Sequence, residues 1–236
     1  MKVNLGGIVP LSTVDWLGRA AMVVFLRGCP LRCPYCHNSS LQQGENFVDF
    51  SYIANEMKKS RNIDCASDQI TLKEAFDIVM TKPFISAIII SGGEPLMQPK
   101  QVRMIANFAK GLGLEVGLET SGYYPDHLLD LLKNRVIDKV FLDIKAPLKE
   151  PEYEIATGRK DVSHRVLDSL RVCMKAGVPT AIRNTIFIGQ FSSCGLEIMK
   201  TISKLKAEYP ENRLEERSLQ KGNKEKKNPC RSDGND

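Results

Sequence analysis

Short apolar runs alternate with amphipathic stretches along most of this chain. Five runs of at most nine residues, Ala21–Arg27, Ala87–Ser91, Glu115–Glu119, Lys139–Lys145 and Thr180–Ile188, are rich in Val, Ile, Phe or Leu. Continuous apolar runs of that length predict strands covered on both faces. Between them, Phe50–Ser60, Leu72–Met80, Pro99–Gly111, Pro125–Arg135 and Val162–Ala176 predict helices, and a last helix, Gly195–Tyr209, is closed by Pro210. Gly111 and Gly113 form a helix stop, and Pro125 ahead of Asp126 a helix start. Strand–helix repetition implies right-handed crossovers and a parallel sheet. Five strands, or six, are too few for the closed eight-stranded barrel of about 250 residues. The expected architecture is therefore α/β, a partial, open (β/α)6-type TIM barrel with parallel strands.

Such sheets bind their ligands at the carboxyl ends of the strands. The chemically unusual residues of this chain fall at those ends. The first run enters a loop with three cysteines, Cys29-Pro-Leu-Arg-Cys33-Pro-Tyr-Cys36. The second ends in Ser91-Gly92-Gly93-Glu94-Pro95, and the third in Glu119-Thr120-Ser121-Gly122. The fourth carries Asp143 and Lys145, two residues apart and so on one face of an apolar strand. The fifth contains Arg183 and Asn184 and ends at Gly189. One rim thus collects polar and glycine residues from every strand, the layout of a single cofactor site.

Thiolates spaced three and then two residues apart on one loop suit an iron–sulfur cluster. Three ligands for four irons leave one iron open, and an open position separates reactive metal sites from structural ones. A zinc site would need a fourth ligand, and His37, adjacent to Cys36, points away from any centre that Cys36 ligates. A disulfide framework is disfavoured by the size of the chain, its seven cysteines and the lack of a secretory signal. Cys65, Cys173, Cys194 and Cys230 lack cluster spacing, and Cys173 reads as a small buried residue of a helix.

Gly92-Gly93 admits close backbone approach to a ligand, and Glu94 offers acceptors to a cationic amine, although Gly92-Gly93-Glu94-Pro95 also reads as an ordinary turn. Charges on a doubly covered strand are costly unless paired or functional. Asp143 and Lys145 therefore read either as an internal salt bridge or as binders of a zwitterionic ligand, with Arg183 a further carboxylate partner or a solvated cap. Asp15 is a turn residue or reaches into the site. His127 and His164 are isolated, and no role is assigned to them.

The chain has 236 residues and a net charge of +5. This length suits one domain over 1–210, with 1–20 a segment ahead of the first strand. Residues 213–236 hold seven Lys or Arg against five Asp or Glu, and only Leu214, Leu219 and Cys230 are apolar there. Such a segment buries too little to offset its ordering entropy, so 211–236 is expected to be a flexible polar tail. Acids interrupt its basic run and aromatics are absent, which disfavours nucleic acid. The first 25 residues include Asp15 and Arg19 without the basic start and long apolar stretch of a signal peptide. No segment reaches the roughly 18–20 apolar residues that span a bilayer. A cytoplasmic protein is expected, with no membrane or nucleic-acid partner.

Cys29-x3-Cys33-x2-Cys36, with Tyr35 before its last cysteine, resembles the signature of the radical S-adenosylmethionine (SAM) superfamily, and the resemblance spans roughly residues 12–190. Asp15-Trp-Leu-Gly-Arg19, Val23-Val-Phe-Leu-Arg-Gly-Cys29 and Cys33-Pro-Tyr-Cys-His-Asn38 are closer still to glycyl-radical-enzyme activating proteins. Ser91-Gly-Gly-Glu-Pro95, Glu119-Thr-Ser-Gly122, Leu142-Asp-Ile-Lys145 and Ile186-Phe-Ile-Gly189 follow the same subgroup. Within it, the chain most resembles activators of the anaerobic (class III) ribonucleoside-triphosphate reductase.

The resemblance implies a [4Fe–4S] cluster on Cys29, Cys33 and Cys36, whose open iron chelates SAM. One electron cleaves the sulfonium, and the 5′-deoxyadenosyl radical takes hydrogen from a backbone glycine of a partner enzyme. Cofactor and cluster carry the difficult step, while the protein positions and shields them. By the same likeness Gly92, Gly93 and Glu94 meet the methionyl amine, Tyr35 and His37 lie near the adenine, and Thr120 lies near the ribose. Asp143 and Lys145 hold other polar groups, and Asp15 lies beside a monovalent cation. A ferredoxin or flavodoxin is the implied electron donor.

Two features depart from the subgroup. Leu17 stands where proline is common, and the apolar sixth strand expected after the last helix is replaced by Arg213-Leu-Glu-Glu-Arg-Ser-Leu-Gln220, too charged for a buried strand. The sheet is therefore expected to end at five strands. Two rival readings remain at this level. One is a radical SAM enzyme acting on a small molecule, like the 7-carboxy-7-deazaguanine synthases, and the other is a non-catalytic iron–sulfur carrier, which would normally bring four cysteines per cluster.

Overall fold

The computed structural model describes residues 1–61, 85–187, 193–209 and 214–222. The expected helix Leu72–Met80, the end of the fifth expected strand at 188, and Cys65 and Cys230 lie outside the described residues. In chain order the sheet strands are β1 (Lys2–Ser12), β2 (Ala21–Leu26), β3 (Phe47–Asp49), β4 (Ala87–Gly92), β5 (Glu115–Thr120), β6 (Lys139–Ile144), β7 (Thr180–Phe187) and β8 (Leu214–Gly222). The helices are α1 (Phe50–Arg61), α2 (Pro99–Gly111), α3 (Pro125–Lys133), α4 (Glu152–Thr157), α5 (Ser163–Ala176) and α6 (Ser193–Glu208).

The strands form one open sheet in the order β3-β1-β2-β4-β5-β6-β7-β8. Pairing is parallel from β2 through β8, while β1 lies antiparallel to β2 and β3 antiparallel to β1. Among the described residues, six parallel strands in an unclosed sheet make a partial barrel, the expected class of fold. Helix α2 presents Val102, Ile105, Ala106 and Ala109 to the sheet, spaced three and four apart as one face of a helix requires. Helix α5 does the same with Val166, Leu170, Cys173 and Met174, and stops at Gly177, whose φ of 65° is left-handed.

Two corrections concern the sheet's flanks. The segment ahead of Ala21 is a strand, β1, with Val3 and Leu5 buried in the core. The charged segment after the last helix also pairs as a strand, β8, in register with β7 from Thr180↔Leu214 to Phe187↔Gly222. The sheet therefore does not end at five parallel strands, and pairing continues into the segment expected to be a flexible tail. An edge strand has a single neighbour and need not be apolar, so charge does not exclude it.

Strand alternation divides the apolar residues between two layers. Met22, Val24, Leu26, Ile88, Ile90, Val116, Leu118, Val140, Leu142 and Ile144 join the helices in the large core. Val23, Ile89, Phe141 and Ala181 face the concave side with Trp16, which plugs it from the β1–β2 connection. The Trp16 and Phe141 rings meet edge-on with centroids 5.6 Å apart. Only a glycine fits beneath them, since a Cβ on Gly117 would lie 2.9 Å from Phe141 and 3.1 Å from Trp16. With one end of the concave face filled, the opposite end, at the strand carboxyl termini, is left for a ligand.

Candidate active site

The three-cysteine loop leaves β2 and is tied down by backbone hydrogen bonds from both sides. The amides of Gly28 and Cys29 donate to the carbonyls of Leu41 (2.8 Å) and Gln42 (3.1 Å), and the Arg32 amide donates to Thr157 O (2.7 Å) at the end of α4. At the tip of β4, the Gly93 amide donates to Leu26 O (2.9 Å) and the Glu94 amide to Gly28 O (2.7 Å). A Cβ on Gly92 would lie 2.1 Å from Leu26 O, and one on Gly93 2.3 Å from Gly28 O. The glycine pair therefore seats the cysteine loop against the neighbouring strand, whatever further role its open backbone has toward a ligand.

Cys29, Cys33 and Cys36 are free thiols, half-buried, and all three line one cleft. Burial pushes the Cys29 thiol up to about 12, and burial raises Cys33 as well, with Lys145 pulling it the other way. Buried thiols of this kind hold their protons until a metal replaces them. Three free thiols lining one cleft fit a cluster, in which each thiolate has its own iron.

The same cleft, about 860 Å³ when the part open to solvent is counted, is also lined by Tyr35, His37, Gly92, Gly93, Thr120, Asp143, Lys145 and Arg183. The fold thus gathers every expected cofactor-site residue except Glu94. Lys145 Nζ lies 2.5 Å from Asp143 Oδ2. Burial pulls the Lys145 ammonium down, but Asp143, Cys33 and Tyr35 outweigh it, and the group is held well above the ordinary lysine value. The backbone around it is braced by two phenols: Tyr35 donates to Lys145 O and the Lys145 amide donates to the Tyr153 hydroxyl, both at 3.3 Å. The pair is thus an internal salt bridge that borders the cleft.

Glu94 stands apart from the other expected site residues. It is fully buried and its carboxylate turns into the protein. It accepts from Leu96 N (3.1 Å), Thr120 Oγ1 (2.8 Å), Ser121 N (2.8 Å) and Ser121 Oγ (2.5 Å). Glu94 therefore ties the tip of β4 to the tip of β5. Thr120 is engaged in the same network, since its hydroxyl also accepts from the Gly122 amide at 3.1 Å.

Arg183 also has protein partners. It pairs with Glu119, donates to Asp15 O at 2.6 Å, and lies 4.5 Å above the Phe141 ring centroid. Glu119 in turn accepts from Ser91 Oγ at 2.5 Å. The carboxylate expected for Arg183 is thus one of the protein's own, from a strand two places along the sheet. Asp15 accepts from Ser12 Oγ (2.5 Å), does not line the cleft, and meets the site through its carbonyl. Reading the sequence missed Glu119, Ser91 and Phe141 as cleft residues; the polar pair stood at strand ends already marked as unusual, which was the available signal. No helix among the described residues is long and apolar enough to cross a membrane.

A family model described as the radical SAM superfamily matches residues 23–202. A protein of Methanocaldococcus jannaschii provisionally named a glycyl-radical enzyme activating enzyme is 34% identical over 188 residues, 78% of this chain and 69% of the relative. The pyruvate formate-lyase-activating enzyme of Clostridium pasteurianum is 29% identical over 187 residues, 78% of this chain and 68% of that enzyme. Among solved structures, a TYW1 with a lysine-pyruvate adduct bound aligns with a TM-score of 0.55 and 17% identity over 85% of this chain and 65% of that one, a likeness of fold. The chain belongs to the radical SAM superfamily and, within it, to the glycyl-radical-enzyme activating subgroup.

Proposed function

We propose that this protein activates an anaerobic ribonucleoside-triphosphate reductase by generating its glycyl radical. The observation that carries the reading is the shared cleft, with Cys29, Cys33 and Cys36 on one wall and the Asp143–Lys145 pair on another. When bound, the family's [4Fe–4S] cluster and SAM supply reductive cleavage of the sulfonium and a 5′-deoxyadenosyl radical. The three cysteines hold the cluster. Lys145 and Asp143 orient the charged groups of the cofactor, Lys145 as a fixed cation and Asp143 as an acceptor. Gly92 and Gly93 leave backbone groups uncovered at the cofactor's methionyl end, and His37 and Thr120 border its nucleoside end. Glu94, Glu119 and Arg183 position the strand tips that carry these groups. Tyr35, Phe141 and Leu31 form apolar wall that keeps water from a reactive radical.

The choice of reductase over other glycyl-radical enzymes rests on the sequence resemblance over roughly residues 12–190 taken as a whole. The test is anaerobic incubation of the reconstituted chain with SAM, dithionite and purified reductase. A glycyl-radical signal in electron paramagnetic resonance (EPR) is expected on the reductase. Formation of 5′-deoxyadenosine with a radical on pyruvate formate-lyase but none on the reductase would refute the choice of partner.

A further inference from the structure

The cysteine loop has a second side, away from the cleft, and basic residues cover it. Arg32 donates through Nη1 to Cys29 O (2.7 Å) and Leu31 O (2.8 Å), and Arg159 donates through Nη1 to Pro30 O (3.2 Å). The guanidinium carbons of Arg159 and Arg165 lie 5.0 and 4.9 Å from the centroid of one ring, Tyr123. None of the three arginines lines the cleft. Among the described residues none of them forms an ion pair. Lys160, exposed, stands beside Arg159 in the chain. Of the nearby acids, Asp161 pairs with none of these cations, and Glu150 is engaged by the amides of Glu154 (2.8 Å) and Ser163 (3.3 Å).

Like charges gathered on one ring without counter-charge keep a positive potential at the surface. An acidic surface seated there would relieve the repulsion, and the net charge of +5 favours the same encounter at long range. Two of the arginines are hydrogen-bonded to carbonyls of the cysteine loop itself. Whatever docks on them is therefore set against the backbone of the cysteine loop, outside the lining of the cleft.

We propose that Arg32, Arg159, Lys160 and Arg165 form the docking surface for an acidic, low-potential electron-transfer protein. This rests on the function proposed above. In the docked pair the donor's reduced centre is oxidised by one electron and the cluster is reduced by that electron, with no atom transferred.

Arg165 and Lys160 test the idea most cleanly, since neither touches the cysteine loop. Reconstituted full-length Arg165→Glu/Lys160→Glu protein would be compared with the unaltered protein, using reduced flavodoxin or dithionite as electron source. The flavodoxin-driven rate of 5′-deoxyadenosine formation is expected to fall about tenfold or more, consistent with the range of electrostatic steering. The dithionite-driven rate and the iron content are expected to stay unchanged. Calorimetric binding of flavodoxin is expected to weaken and lose its salt dependence in the variant, and Arg165→Lys is expected to restore it. Unchanged flavodoxin binding, equal loss with both reductants, or weakened binding of the glycyl enzyme in place of flavodoxin would overturn the proposal. Glycyl-radical formation under dithionite reports separately on the proposed function.

Discussion

Gly92 approaches Leu26 so closely that a Cβ on it would sit 2.1 Å from the Leu26 carbonyl oxygen, and its φ of 130° is one that other residues rarely adopt. This contact joins the carboxyl tip of β4 to the start of the cysteine loop. Gly92→Ala is therefore expected to push the loop off the strand and lower iron incorporation on reconstitution several-fold. Gly111, at the end of α2, has nothing within 4 Å of a Cβ position and a permitted φ. Gly111→Ala should leave iron content unchanged and stabilise the fold by up to about 1 kcal/mol. Iron per chain and thermal melting of the two variants check the contrast.

Glu94 accepts four hydrogen bonds from Leu96, Thr120 and Ser121 while fully buried. Glu94→Ala leaves those donors without their partner and should cost about 3–5 kcal/mol. In a chain of this length that is a fall of about 10 °C in melting temperature. A loss of cofactor binding with no loss of stability would assign Glu94 to the ligand instead.

Lys145 gives a different signature. Lys145→Met keeps the apolar stem but removes the ammonium from Asp143 and from the cleft, and SAM affinity is expected to fall about tenfold or more. Because the ammonium is held above the ordinary lysine value, its contribution is present below about pH 10.4 and is lost only as pH rises through its raised value. Cofactor titrations at pH 6 to 9 should show a constant difference between the variant and the unaltered protein.

Cys173 provides the clearest alkaline effect. Burial pushes this thiol from its ordinary 9.0 up to about 12, against a hydrogen bond with Thr180 that lowers it. The folded state keeps the proton that the unfolded chain releases, so stability is retained below about pH 9 and falls as pH rises toward 12. The slope from one such group reaches about 1.4 kcal/mol per pH unit. Urea unfolding of Cys173→Ala should lack this component of the alkaline decline.

The parallel strands were legible because residues such as Ile88–Ile90 and Val140–Leu142 are buried on both faces and must form continuous apolar runs. β1 was not legible, since Gly6, Gly7 and Pro10 interrupt its pattern and its outer half is exposed. β8 was hidden by its charge, a property that excludes a central strand but not an edge. The cleft residues followed from the rule that ligands sit at strand carboxyl ends. The direction in which each side chain points did not: Glu94 turns toward Thr120, and Arg183 toward Glu119, through pairings 26 and 64 residues apart. Those separations are set by strand order, which local sequence does not encode. His127, read as isolated, bonds Leu96 O through Nδ1 at 2.8 Å across 31 residues for the same reason.

The most direct measurement is EPR of the anaerobically reconstituted, reduced protein before and after SAM is added. A [4Fe–4S] signal that shifts on addition of the cofactor, and that is lost when Cys29, Cys33 or Cys36 is changed to alanine, is the predicted result. Zinc in place of iron, or a cluster spectrum indifferent to SAM, would contradict the account.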